Sequence, residues 1–199
     1  MSEAWPSSLD RGLAGAPHEG EECSGDLAVF VPTAAGGLVA LIDGLGHGPE
    51  AADAAELCAD VVRTNAEAGA QELMQICHEA LLQTRGAVMT VAWFDLERSE
   101  LSWAGVGNVD ARLVRSGPEL REEVALVFGG VLGYRMPRVR PATMPLARGD
   151  LLVMITDGID PAISPALAGG GAAQALAGRI LDSHGKGSDD ALAMVIRYR

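Results

Sequence analysis

No stretch of this chain stays apolar for the ~20 residues that a membrane helix requires. The longest apolar runs are about eight residues, such as Ala87–Phe94. The opening Met1-Ser2-Glu3-Ala4 lacks the basic patch and apolar core of a signal peptide, so a cytoplasmic location is expected. Cysteine is scarce. Cys23, Cys58 and Cys77 are odd in number and share no metal or redox spacing, which fits a reducing compartment. Basic charge is also scarce, with 15 Lys and Arg against 27 Asp and Glu and a formal net charge of -12. Such a surface repels phosphate backbones and anionic lipid, so neither nucleic acid nor membrane is expected as a partner.

What is present is a folded domain. Hydrophobic residues make up 48% of 199, enough for one real core and barely enough for two. Residues 1–9 are polar and contain proline, and are expected to be loose; 10–199 are expected to form a single domain. Gly is 25 of 199, close to double the usual ~7%, so the chain turns often.

Leu27–Val31 and Leu38–Ile42 read as a hairpin around Thr33–Gly37. Gly44-Leu45-Gly46-His47-Gly48 is a loop, and Pro49 suits the first position of the helix that follows. Ala51, Ala54, Ala55, Cys58, Val61 and Val62 recur at helical spacing to about Glu67. A second helix runs from after Gly69 to near Thr84. Strands are expected at Val88–Asp95, Glu100–Val106, Ala111–Arg115 and Leu151–Thr156, with weaker ones at Val124–Phe128 and Val139–Met144. Ala172–Ser183 reads as a helix and Ala191–Tyr198 as a final strand. This order departs from strict βαβ alternation and fits a mainly antiparallel α+β layered sandwich.

Four acidic sites fall where a strand meets a loop: Asp26, Asp43, Asp157 and the pair Asp189-Asp190. With the hairpin centred near Ala35, residues whose numbers sum to about 70 oppose each other, which places Asp26 and Asp43 within about 5 Å at its open end. If the strands flanking Asp157 and Asp189 are antiparallel neighbours, those carboxylates share an end too. Gathered carboxylates repel unless a cation neutralises them. Oxygen-only ligands imply magnesium or manganese rather than zinc. Asp-Gly is also a common turn dipeptide, so a plain turn role stays open for each Asp.

Cys23-Ser24-Gly25-Asp26, Asp43-Gly44-Leu45-Gly46-His47-Gly48, Thr156-Asp157-Gly158 and Asp189-Asp190 stand in order along the chain. Together they resemble the metal-binding motifs of the SpoIIE/RsbU-like subgroup of type 2C metal-dependent protein phosphatases. Thr84-Arg85-Gly86-Ala87 and Gly105-Val106-Gly107-Asn108-Val109 add a likeness to the RsbX-like stand-alone phosphatases of the stressosome. The resemblance covers roughly residues 18–199 and implies an αββα sandwich of two mainly antiparallel sheets flanked by helices. It implies two divalent cations, manganese or magnesium. Asp43 would bridge them, the Gly44 carbonyl and Asp26 would serve the first, and Asp157 and Asp189 the second. A water activated between the ions would attack phosphorus in line. His47 would protonate the leaving oxygen or touch phosphate, so Asp43, Asp26 and His47 are the expected catalytic residues. The implied substrates are phosphoserine and phosphothreonine in stressosome scaffold proteins, RsbS/RsbR-like STAS domains, whose dephosphorylation resets stress signalling.

Two positions depart from the family pattern. Leu192 stands where Thr or Ser is usual, which leaves Asp189 and Asp190 in competition as ligand, with the motif favouring Asp189. Leu45 stands where the broader family has His. Arg85 is the nearest candidate for a phosphate clamp, but a strand start is its simpler role. A catalytically inactive phosphatase-fold module that binds a signalling partner remains the alternative; the presence of every acidic motif position favours the enzyme. A nucleotide-binding kinase box fails because the glycines after Asp43 fall out of phase. A Walker loop fails because Gly187 separates Lys186 from Ser188.

Overall fold

The computed structural model describes residues 4–119, 121–167 and 170–199. Among them the chain forms β1 (Leu9–Ala16), β2 (Asp26–Thr33), β3 (Gly36–Gly44), α1 (Pro49–Thr64), α2 (Ala70–Ala80), β4 (Ala87–Asp95), β5 (Glu100–Val106) and β6 (Asp110–Arg115). It continues with β7 (Arg121–Val124), β8 (Val127–Phe128), β9 (Ala142–Pro145), β10 (Leu151–Ile155), α3 (Ser164–Leu167), α4 (Ala173–His184) and β11 (Ala191–Tyr198). One sheet has the order β1-β11-β10-β6-β7; the other runs β2-β3-β4-β5-β8, with β9 also on β5. Pairing is antiparallel except between β5 and β8.

The layers follow from alternation along strands that are buried on both faces. In β3, Leu38, Ala40 and Ile42 face α1 and α2, while Val39 and Leu41 face the other sheet. In β11, Met194 and Ile196 join that inter-sheet core, while Ala193 and Val195 face α3 and α4. Three apolar layers between four layers of structure make an αββα sandwich, as expected. α1 buries Ala51, Ala54, Ala55, Cys58, Ala59 and Val62, a stripe of small side chains that lets the helix lie close on its sheet.

Several elements differ from expectation. Helix α3 is not among the expected elements, and the strand expected at Val139–Met144 is confined to Ala142–Pro145. Strand β1 carries no apolar run, yet it pairs with β11 over its whole length, Leu9 opposite Tyr198 through Ala16 opposite Ala191. A side chain at Gly12 would lie 2.2 Å from the Ala173 backbone, so glycine there lets α4 settle on the strand. The looseness expected for 1–9 does not hold over 4–9. Trp5 donates its indole N–H to the Leu9 carbonyl at 2.7 Å and meets Phe30 edge to face at 5.7 Å. Residues 1–3 lie outside the described residues. The weak strand expected at Val124–Phe128 is split between β7 and β8, which join different sheets.

Candidate active site

The acidic strand ends meet at one end of the sandwich. Asp26 and Asp43 are direct cross-strand partners, as the hairpin arithmetic requires. β10 and β11 are antiparallel neighbours, with Ile155 opposite Ala193, so Asp157 and Asp189 share the same end. There a cavity of about 680 Å³ is lined by Asp43, Asp157 and Asp189, together with Leu45, His18, His47 and Asn108. Gly129, Gly130 and Val131 close another side.

Each acidic residue is held differently. Asp26 is buried at 9% exposure, and its Oδ2 accepts the Thr156 hydroxyl at 2.7 Å. Asp43 is half-buried at the end of β3. Burial pushes Asp26 up to about 7, despite the Thr156 hydrogen bond, with Asp190, Asp157 and Asp189 adding repulsion. Burial likewise pushes Asp43 up to about 8, followed by repulsion from Asp26, Asp157, Asp189 and Asp190. Asp157 is exposed; its Oδ2 accepts Asn108 Nδ2 at 2.8 Å, and its carbonyl accepts Lys186 Nζ at 2.6 Å.

Asp189 and Asp190 divide cleanly. Asp189 lines the cavity. Asp190 is buried, with Oδ1 accepting the His18 N–H and Oδ2 the Gly25 N–H, both at 2.8 Å. It ties two loops together and has no oxygen turned to the cavity without a partner. Leu192 belongs to the inter-sheet core, so its departure from the family pattern does not touch the cleft.

Gly44 is fixed by sterics. A Cβ there would stand 2.1 Å from the Ala51 carbonyl oxygen, so only glycine lets α1 start against the end of β3. The loop between them passes through Gly46 and Gly48 at positive φ, 89° and 77°. His47 is exposed on this loop. Its Nδ1 meets Glu21 Oε1 at 2.8 Å, and its ring stacks on His18 with centroids 4.6 Å apart. Arg85 instead pairs with Glu50 and does not line the cavity.

The sequence reading missed four groups around the cleft: Thr156, Asn108, His18 and Glu21. Thr156 and Asn108 each sit inside a motif already singled out, but the carboxylates they hold, Asp26 and Asp157, lie far away along the chain, so only the motif itself was available as a signal. His18 and Glu21 lie in a polar loop whose partner, His47, is far along the chain.

Among the described residues, no three Asp, Glu, His or Cys side chains are already gathered as ligands of one ion. The donor chemistry nonetheless fits hard divalent cations. The cleft offers carboxylate oxygens, and burial, with repulsion from the neighbouring carboxylates added, drives Asp26 and Asp43 toward the protonated form, a cost that a bound cation would offset.

The αββα sandwich is the fold of PP2C-type phosphatase domains. RsbX solved with magnesium matches with a TM-score of 0.85 at 21% identity, over 96% of this chain and 96% of that one. A structure concerning the bacterial stressosome, a modular system adapted to control secondary messenger signaling, matches at 0.89 and 31% identity, over 95% and 99%. The family model for stage II sporulation protein E (SpoIIE) matches residues 35–199, and this chain belongs to that family. The phosphoserine phosphatase RsbX of Bacillus subtilis (strain 168) is 24% identical over 123 residues, 62% of this chain. The chain thus spans 61% of the length of that curated relative.

Proposed function

We propose that the chain is a protein serine/threonine phosphatase that hydrolyses phosphoserine and phosphothreonine esters with two divalent cations, manganese or magnesium. The observation that carries this is the cluster of carboxylates at one cleft, two of them raised toward neutrality by burial and mutual repulsion. Asp43 would be shared by both cations, with Asp26 and the Gly44 carbonyl serving the first and Asp157 and Asp189 the second. When bound, such ions supply the charge that activates a water and offsets charge on the phosphoryl oxygens.

The chain's own residues hold and orient. Thr156 fixes Asp26, Asn108 fixes Asp157, and Glu21 fixes His47 through Nδ1. That leaves His47 Nε2 to carry a proton to the serine or threonine oxygen as its bond to phosphorus breaks. Asp190 serves the frame rather than the chemistry, and the single domain of residues 10–199 carries the whole site.

The substrates we assign are phosphorylated stressosome scaffold proteins of the RsbS/RsbR type with STAS domains, acted on in the cytoplasm to reset stress signalling. Support comes from the likeness to a stressosome structure at 31% identity and to RsbX. The test is hydrolysis of free phosphoserine and of a phosphorylated scaffold protein, with manganese or magnesium and with chelator. Manganese-dependent turnover with strong preference for the phosphoprotein over free phosphoserine is expected. No turnover in either ion would leave only an inactive binding module, and equal efficiency on both substrates would reject the scaffold assignment.

A further inference from the structure

Charge is not spread evenly over this protein. Between Glu123 and Asp150 there is no acidic side chain and there are four arginines, in a chain of net charge -12. Arg135, Arg138 and Arg140 are exposed, and among the described residues none of them joins an ion pair. Most other arginines do: Arg112 with Asp110 and Glu122, Arg115 with Glu123 and Asp150, Arg85 with Glu50.

The segment is anchored. Leu132 exchanges backbone hydrogen bonds with Ala87, the Val131 N–H bonds the Arg135 carbonyl at 2.9 Å, and the Gly133 N–H bonds His78 Nδ1 at 3.0 Å. Val139 is buried in the core beneath α1 and α2, and Arg138 and Arg140 flank it on the outer side. The same segment supplies Gly129, Gly130 and Val131 to the cavity wall. Its apolar surface is also unusually open, with Leu126 at 73% and Tyr134 at 86% exposure. Unpaired guanidinium groups beside an exposed aromatic ring, next to an acidic cleft, have the composition of a protein-binding surface.

We propose that residues 124–140 form a docking strap for the acidic face of a phosphoprotein substrate. The strap reads carboxylates around the phosphorylated serine or threonine, and this rests on the phosphatase reading above. Charge complementarity decides the occupant. The chain as a whole carries a net charge of -12, which disfavours an acidic partner, whereas residues 124–140 hold three arginines and no acid and attract one.

The test compares the full chain with the triple variant Arg135→Glu, Arg138→Glu, Arg140→Glu and with a milder triple Gln variant, each first checked for an unchanged melting temperature. The probes are two labelled phosphoserine peptides of equal length, one flanked by Asp and Glu, the other by Lys. Binding is measured by anisotropy with chelator. Turnover is measured with manganese as kcat/KM relative to p-nitrophenyl phosphate. The native protein should favour the acidic peptide by about tenfold, with the advantage shrinking as salt rises and lost in the Glu variant. If the acidic peptide binds in an arginine-dependent way but nothing is hydrolysed, the strap stands and the phosphatase reading falls. If both peptides are hydrolysed with a preference the variants do not change, the strap is overturned and the phosphatase stands. Tighter arginine-dependent binding to duplex DNA or to phosphatidylserine vesicles than to the acidic peptide would also overturn it.

Discussion

Replacing Asp43 by asparagine should separate the stability of this protein from its proposed chemistry. Burial and the carboxylates around it raise Asp43 from an ordinary value of 3.8 to about 8. In the unfolded chain the group ionises near its ordinary value, so between about pH 4 and pH 8 the native state binds the extra proton. Stability with chelator therefore falls as pH rises through that window and levels off above it. At about pH 7.5 the cost is at most about 5 kcal/mol, at ~1.4 kcal/mol per unit. The neighbouring carboxylates share the repulsion, so a gain of about 2 kcal/mol for Asp43→Asn is the working figure. For a chain of this size that is a rise of about 4–8 °C in melting temperature. The gain should vanish near pH 4, where the native carboxyl is already neutral. With manganese at a hundredfold over its dissociation constant, the native protein alone gains about 2.7 kcal/mol and the order reverses. Turnover of the variant should fall at least ~10³-fold. Melting curves of both proteins at several pH values, with chelator and with manganese, beside aryl phosphate hydrolysis, measure all of this. Equal melting temperatures across pH with intact activity would refute the reasoning and make Asp43 a turn residue.

The adjacent acids should respond in opposite ways. Asp189→Asn should remove metal-dependent turnover with little change in chelator melting temperature, whereas Asp190→Ala should lower the melting temperature through the lost bonds to the His18 and Gly25 N–H groups. Gly44→Ala puts a methyl 2.1 Å from the Ala51 carbonyl, and urea denaturation should show a loss of about 1–3 kcal/mol. His47→Gln should slow a phosphoserine peptide by about 10²-fold but p-nitrophenyl phosphate far less, because a nitrophenolate leaves without a proton. Equal losses on both substrates would reject a proton-donating role.

The elements legible from sequence were those whose own residues carry the signal. β3 and β11 are apolar on both faces, and the Asp26–Asp43 register followed from counting across a short turn. β1 was not legible, because Leu-Asp-Arg-Gly-Leu-Ala-Gly-Ala becomes a strand by pairing with residues 191–198. β7 and β8 looked like one strand because the switch between sheets leaves no mark on Val124–Phe128. In the cleft, strand-end Asp-Gly pairs announced the carboxylates. What holds them was hidden, since Thr156 reaches Asp26 and Glu21 reaches His47 only through the tertiary fold. Asp189 and Asp190 are neighbours in sequence with identical side chains, and only burial and hydrogen bonding tell them apart.

The strand order also implies an order of assembly. Strands β2 to β5, with α1 and α2 between them, are contiguous in sequence, so that sheet and its helices can form as a nearly local unit. The other sheet cannot close until residues 191–198 enter between β1 and β10. Asp26 and Asp43 are thus positioned early, while Asp157 and Asp189 reach them only with that last insertion, which has the longest loop to close. The cleft is therefore a late product of folding. A chain stalled before that step would carry half an acidic site and an open sheet edge, and divalent cations would act on its refolding by trapping the final closure rather than by starting it.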